Sequence, residues 1–312
     1  MKIVFMGTPD FAAHFLDHLS KGPHQVVAVV TQPDRPVGRG RVLTAPPVKN
    51  KALELGLPVL QPVSVKEESF ALDLERLNAD LFVVVAFSIL PKRVLGCSKF
   101  GAVNVHGSLL PKYRGAAPVQ WAIANGDEKT GVSIFLLDEK MDHGPLLEQR
   151  EFPIELFDTS EDVLNKMVLP GCEALDKALD RIAFGSIEEL PPQEHEKASP
   201  APKLKKEDGK IDFNLSALEI HNRIRAFYPW PGGFCSFNGK TAYFRKTIPH
   251  HSTWLNPGEA RGEKEKLYVG TSNGVLEVTE IQLEGKRAMP AADFLRGIQK
   301  KDKDSLCFKT IA

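Results

Sequence analysis

Asn104 and His106 lie two positions apart in Gly101-Ala-Val-Asn-Val-His-Gly-Ser-Leu-Leu-Pro-Lys-Tyr-Arg-Gly-Ala-Ala-Pro, just ahead of a glycine and a turn-rich run. Side chains repeat every second residue along a strand, so this spacing puts the amide and the imidazole on one face. An amide can donate to a developing oxyanion, and an imidazole can take or give a proton near neutral pH. A lone histidine here would more simply be a core residue bonded to backbone. The strand end and the Gly107 break favour a site instead. Asp142, in Asp138-Glu-Lys-Met-Asp-His-Gly-Pro, falls in a loop expected on the same sheet edge. A carboxylate there would orient His106 and raise its pKa from the usual ~6.5. Asp138 and His143 are rivals for that part, and any of the three could instead shape the turn.

Two further stretches could meet anions. Gly7-Thr8-Pro9-Asp10-Phe11 joins an apolar run to a helical one, with Thr8 placed to N-cap and Pro9 at the first helical position. A helix start can hold an anion, but without Gly-x-Gly-x-x-Gly a structural turn is favoured over a dinucleotide site. Residues 31–47 set Arg35, Arg39 and Arg41 among glycines and prolines. Long loops in compact domains are functional or disordered, and a forked guanidinium suits phosphate oxygens. A plain surface loop fits this composition equally well.

The elements that must position these residues are readable from hydrophobic pattern. Residues 2–6, 25–30, 80–86 and 102–105 are apolar without strict alternation, as in parallel strands buried on both faces. Residues 11–20, 48–56 and 66–77 have helical spacing, with Gly22 and Gly56 as C-caps. The order β-α-β-α-β predicts an α/β fold with a doubly wound, Rossmann-like sheet whose site lies beyond the carboxyl ends of the strands. Residues 130–138 and 146–151 read as further strands, and 159–184 as a long helix opened by Thr159 or Ser160, closing a catalytic domain at 1–184. Residues 185–204, with Pro191, Pro192, Pro200 and Pro202, read as a linker. In 205–312 a helix at 217–226 precedes short runs at 233–237, 241–244, 266–270 and 275–283, broken by Asn-Gly at 238–239 and 273–274. A small antiparallel β-barrel is the simplest architecture for them.

A chain of 312 residues accommodates two such domains, and 42% hydrophobic with 26% charged residues is a globular balance. No apolar run approaches the ~20 residues of a membrane helix, and Met1 leads straight into a strand, so no signal peptide is expected and the location expected is cytoplasmic. Cys97, Cys172, Cys235 and Cys307 are scattered without zinc spacing, which predicts reduced structural thiols. The zero net charge argues against a nonspecific nucleic-acid coat, yet residues 205–312 carry 18 Lys plus Arg against 13 Asp plus Glu, so +5 there and −5 before them. That is compatible with a polyanionic partner or with a solvated face.

Asn104-Val-His106-Gly-Ser108-Leu-Leu-Pro111-Lys-Tyr-Arg114-Gly and Asp142-His-Gly together resemble the signature of the folate-dependent formyltransferases. Gly7-Thr-Pro-Asp-Phe-Ala, Thr31-Gln-Pro-Asp-Arg-Pro, Ala201-Pro-Lys-Leu-Lys-Lys-Glu-Asp-Gly, Pro229-Trp-Pro-Gly-Gly and Gly285-Lys-Arg-Ala-Met-Pro extend the resemblance along the chain, and look like the members acting on methionyl-tRNA. The resemblance implies a Rossmann-like catalytic domain followed by an OB-like barrel that contacts tRNA. It implies transfer of the formyl group of 10-formyltetrahydrofolate, a co-substrate, to the α-amine of initiator methionyl-tRNA for translation initiation, by a monomer without metal or membrane. Asn104 and a protonated His106 would then donate to the tetrahedral oxyanion, with Asp142 holding His106 and helping to move the proton. Ser108, Leu109, Leu110 and Pro111, with Phe87, Ser88 and Ile89, would line the folate pocket. Arg39, flanked by Arg35 and Arg41, would meet the tRNA acceptor end. The family commonly carries Ala-Tyr-Gly-x-Ile-Leu-Pro in that pocket, where residues 86–91 here are one shorter and lack the glycine, and a smaller side chain where His143 stands. Sugar-nucleotide formyltransferases and the hydrolase half of formyltetrahydrofolate dehydrogenase share similar catalytic stretches, while glycinamide ribonucleotide formyltransferase resembles only the first domain. A non-catalytic RNA-binding protein would explain the Arg loop but not Asn104, His106 and Asp142 together.

Overall fold

The unalternated apolar runs become the centre of a sheet. The computed structural model describes residues 1–37, 40–185, 190, 192–298 and 306–311. In chain order its first elements are β1 (Lys2–Gly7), α1 (Asp10–Ser20), β2 (Gln25–Val30), β3 (Arg35–Val37), β4 (Val42–Thr44), α2 (Pro47–Glu54), β5 (Val59–Leu60) and α3 (Glu68–Arg76). They are followed by β6 (Leu81–Val85), α4 (Lys92–Leu95), β7 (Ala102–His106), β8 (Arg114–Gly115), α5 (Pro118–Ala124), β9 (Lys129–Leu136), β10 (Leu146–Pro153), α6 (Ser160–Ala183) and β11 (Pro200–Ala201). Seven of the strands form one sheet in the order β10-β9-β7-β6-β1-β2-β5. From β7 to β5 all neighbours are parallel, and β9 runs antiparallel to β7.

Ile3 to Met6 and all of β6 are buried, as strands covered on both faces must be. The chain winds outward from β1 through β2 to β5, and in the other direction through β6 to β7, so the topological switch point lies between β1 and β6. Gly7 closes β1 where a Cβ would press on Ala12 and the Val85 carbonyl, so only glycine allows α1 to start this near the sheet. Two expected caps differ. Pro9 keeps an extended ψ of 174° and is itself the N-cap of α1, so Thr8 sits one position too early to cap, and its buried hydroxyl has no partner. Lys21 rather than Gly22 C-caps α1, whereas Gly56 takes the left-handed conformation expected after α2. Thr159 opens α6 by accepting from the Asp162 N–H while its own N–H donates to the Asp162 carboxylate, a reciprocal capping box.

By internal contacts the chain divides into two units, one of residues 1–118, 130–152 and 164–201, the other of 119–129, 153–163 and 202 onward. Residues 153–163 join the second because Arg225 donates to the Glu155 and Asp158 carbonyls and the His221 ring bonds the Leu156 carbonyl. The second unit holds α7 (Ala217–Ala226), β12 (Gly233–Phe237), β13 (Lys240–His250), β14 (Glu259–Glu263), β15 (Lys266–Gly270), β16 (Val275–Leu283), β17 (Met289–Pro290), α8 (Ala291–Arg296) and β18 (Leu306–Lys309). The order β13-β12-β18-β14-β15-β16 closes through β13 on β16, making a six-stranded barrel with β17 added on β16. Phe237, Phe244, Phe294 and Phe308 fill it, their rings meeting edge-on or tilted. The four cysteines are free, three of them buried. Among the described residues no helix is long and apolar enough to cross a membrane.

Candidate active site

β7 carries Asn104 and His106 on one face between β6 and β9, with Asn104 opposite Val84 and Phe135 and His106 opposite Ser133. Asn104 is half-buried, and its amide makes no hydrogen bond to the described residues. The backbone that carries it is held from both sides by β6 and β9. His106 is only 5% exposed, with its ring edge-on to Phe135. Its Nε2 lies 2.9 Å from the Tyr113 carbonyl. A carbonyl can only accept, so Nε2 carries the proton and the Nδ1 lone pair is left free. Asp142 Oδ2 lies 3.8 Å from that Nδ1.

Of the three residues that competed for the role, Asp142 reaches His106. Asp138 and His143 pair with each other at 2.6 Å, and the His143 ring stacks on His195, 4.0 Å away and 5° from parallel. Asp142 adopts a left-handed φ of 49°, and its Oδ2 accepts the Gly115 N–H at 2.8 Å. The charge state expected from sequence is corrected. Burial pushes the His106 pKa below its ordinary value, outweighing the pull of Asp142 and of the Tyr113 carbonyl, while Arg114 pushes in the same direction as burial. The imidazole is therefore neutral at pH 7, because a carboxylate 3.8 Å away does not replace the water the ring has lost.

The loop after β7 is locked by buried polar groups. Ser108 is fully buried and donates to the Lys112 carbonyl, and Ser133 Oγ donates to the Ser108 carbonyl while accepting the Leu110 N–H. Gln149 adds bonds to the Leu110 carbonyl and to Ser133 Oγ. The expected pocket lining is corrected accordingly: Ser108 and Leu110 face the interior, where their groups are already used, and only Leu109 and Pro111 of that stretch reach the surface in part. β8 pairs with β11, Arg114 N–H donates to the Ser199 carbonyl and Tyr113 N–H to Ser199 Oγ, so the carbonyl that fixes the His106 tautomer is itself pinned.

Beyond β6 the chain turns through a left-handed Ala86, with φ 48°, which costs an L-residue ~1 kcal/mol. Phe87 and Ser88 are half-exposed and Ile89 exposed. Ser88 Oγ accepts from Gln32, whose amide oxygen accepts from Arg35, so one chain of bonds ties this stretch to the β3–β4 hairpin. Arg35 lies on β3, Arg41 at the start of the return with φ 47°, and Val42 and Leu43 are about two-thirds exposed. Arg39 lies outside the described residues. Arg114 and Thr31 stand in the motif stretches without a role read for them; Arg114 gathers with Gln193 and His195 around the Asp142 loop, and Thr31 has a fully buried hydroxyl without a partner at the end of β2. No local pattern marks Gln193 or His195.

A Cβ on Gly144 would collide with the Leu136 carbonyl, and one on Gly115 with that of Ala201. Gly144→Ala is expected to cost about 3 kcal/mol of stability, the upper range for overpacking against rigid backbone, and urea denaturation at unchanged m measures it.

Two family models match the chain: formyl transferase over residues 1–179 and formyl transferase, C-terminal domain, over residues 203–299. A methionyl-tRNA formyltransferase of Koribacter versatilis is 47% identical over 309 residues, covering 98% of each chain. One of Desulfotalea psychrophila is 44% identical over 300 residues, covering 95% of this chain and 93% of that one. An N-formyltransferase of Helicobacter canadensis, solved with folinic acid and dTDP-3-aminofucose, superposes with a TM-score of 0.65 at 21% identity over 89% of this chain and 98% of its own, a likeness of fold. The chain belongs to the formyl transferase family, among its methionyl-tRNA formyltransferases.

Proposed function

We propose that this chain transfers the formyl group of 10-formyltetrahydrofolate to the α-amino group of initiator methionyl-tRNA, the cytoplasmic step that readies it for translation initiation. The observation that carries the reading is the unengaged amide of Asn104 beside a buried, neutral His106 whose free Nδ1 faces Asp142 at 3.8 Å. Attack of the amine on the formyl carbon puts negative charge on the formyl oxygen and an excess proton on the attacking nitrogen. The Asn104 amide donates to that oxygen. His106 Nδ1 takes the proton, and the imidazolium so formed gains an ion-pair partner in Asp142. The same proton then passes to the folate nitrogen as its bond to the formyl carbon breaks, which returns His106 to its neutral form. Leu109, Pro111, Phe87, Ser88 and Ile89 offer partly exposed surface for the folate, and the β3–β4 hairpin offers the guanidinium groups of Arg35 and Arg41 for tRNA phosphates, a role that the sequence extends to Arg39.

The deciding assay offers 10-formyltetrahydrofolate with methionyl-tRNA, glycinamide ribonucleotide or an amino-sugar nucleotide. Formylation of methionyl-tRNA alone is expected; preferential formylation of either small amine would replace the reading. Arg39→Ala and Arg41→Ala should each raise KM for tRNA at little change in kcat and lower the salt slope of tRNA binding by about one phosphate contact. An unchanged KM and slope in both would remove the hairpin from the tRNA site.

A further inference from the structure

We infer that Gln193, held by Arg114, is a positioning residue for the Asp142 loop and sets the distance at which that carboxylate meets His106. The inference rests on the reading of Asp142 as part of the proton path. Gln193 comes from the segment between α6 and β11, yet it is only 4% exposed. Its Nε2 donates to two main-chain carbonyls on either side of His143, those of Asp142 at 3.1 Å and Gly144 at 2.7 Å. Its Oε1 accepts from Arg114 Nη2 at 2.5 Å.

The two bonds clasp the turn whose conformation aims the carboxylate. Asp142 is left-handed there, a conformation aspartate tolerates better than most L-residues, and the two bonds from Gln193 hold the backbone on either side of His143 in it. The adjacent residues Arg114 and Gly115 act on the turn from two sides: Gly115 N–H holds the carboxylate, and the Arg114 side chain holds the glutamine that holds the backbone. Arg114 Nη2 also donates to His195 Nδ1 at 2.9 Å, and His195 stacks on His143 within the same turn. Only a group with two N–H donors at one end and an acceptor at the other satisfies both carbonyls and the guanidinium. A carboxylate in its place would confront two carbonyl oxygens, while a protonated carboxyl could still donate to one of them.

The test uses the full chain with methionyl-tRNA and 10-formyltetrahydrofolate. Gln193→Leu is expected to lower kcat about 10²-fold, the scale of a small misplacement in a catalytic group, with KM for both substrates nearly unchanged. Gln193→Glu supplies a readout that a purely structural role would not move. The ratio of its kcat to that of the wild type should rise as pH falls through the range in which the new carboxyl becomes protonated and regains a donor. Should Gln193→Leu fail to fold, that ratio decides: a rise toward low pH supports the inference and a flat ratio overturns it. A folded Gln193→Leu with near-normal kcat also overturns it. Asp142→Asn measured in parallel separates the two readings: if it keeps full kcat the proton-path reading fails, whereas lost activity there with normal Gln193 variants sinks the positioning role alone.

Discussion

Asn104→Ala is expected to lower kcat for formyl transfer by about 10² to 10³, with KM for both substrates changed little, because the proposed donor it removes would act on charge that exists only in the transition state. The backbone at Asn104 is fixed by β6 on one side and β9 on the other, so the amide cannot be replaced by a neighbour shifting toward the formyl oxygen. It is half-buried and unengaged, so truncation breaks no bond among the described residues and stability should stay within the small range of ordinary surface changes. Single-turnover rates with saturating substrates measure the chemical step directly. Asn104→Asp makes the same point with opposite chemistry, since an ionised carboxylate would repel the developing oxyanion and should be at least as inactive. Near-normal single-turnover rates in the alanine variant would take Asn104 out of the oxyanion site.

Why Asn104 was legible from sequence while Gln193 was not is a matter of how far apart the cooperating residues lie. Asn104 and His106 share one strand, and a period of two is enough to put them on one face. Asp142 needed a further inference that strand order alone does not supply: β9 runs antiparallel to β7 with Leu136 opposite Val103, so its loop leaves near the amino end of β7, yet Asp142 Oδ2 comes within 3.8 Å of His106 Nδ1. Gln193 meets the Asp142 loop across about fifty residues of chain, so no window of sequence contains the interaction. The same difference governs the fold. β1 from Ile3 to Met6 and all of β6 are apolar and were read directly, whereas β14 reads Glu-Ala-Arg-Gly-Glu with only Ala260 fully buried, and exists because its backbone pairs with β15 and β18. The direction of the His106 shift was misjudged for a related reason. A nearby carboxylate can be guessed from sequence, but the enclosure that outweighs it is a property of the packed structure.

His106 should reveal that enclosure in its pH dependence. As the proton acceptor it works in the neutral form, and burial holds its pKa below the usual ~6.5, so the limb of the kcat/KM profile that belongs to His106 should lie below pH 6.5, apart from the limb at ~8 that belongs to the attacking α-amine of the substrate. Stability follows the same sign. In the unfolded chain the imidazole takes a proton near ~6.5, whereas in the folded protein it resists until lower pH, so between those values the unfolded state binds more protons. Stability is therefore full above about pH 6.5 and declines as pH falls toward the folded pKa. His221 in the second unit adds to the slope, because burial lowers its pKa as well. His106→Gln separates catalysis from this background. The glutamine amide can still donate to the Tyr113 carbonyl, so folding should survive and part of the acid-side loss of stability should disappear, but nothing remains to accept the amine's proton. The expected fall in kcat is about 10² to 10⁴, the range for loss of a general base. Urea denaturation between pH 5 and 8 and kcat/KM over the same range test both halves. The absence of any further limb below pH 6.5 that His106→Gln removes, or near-normal turnover in that variant, would mean that the proton leaves the amine by a route that does not pass through this imidazole.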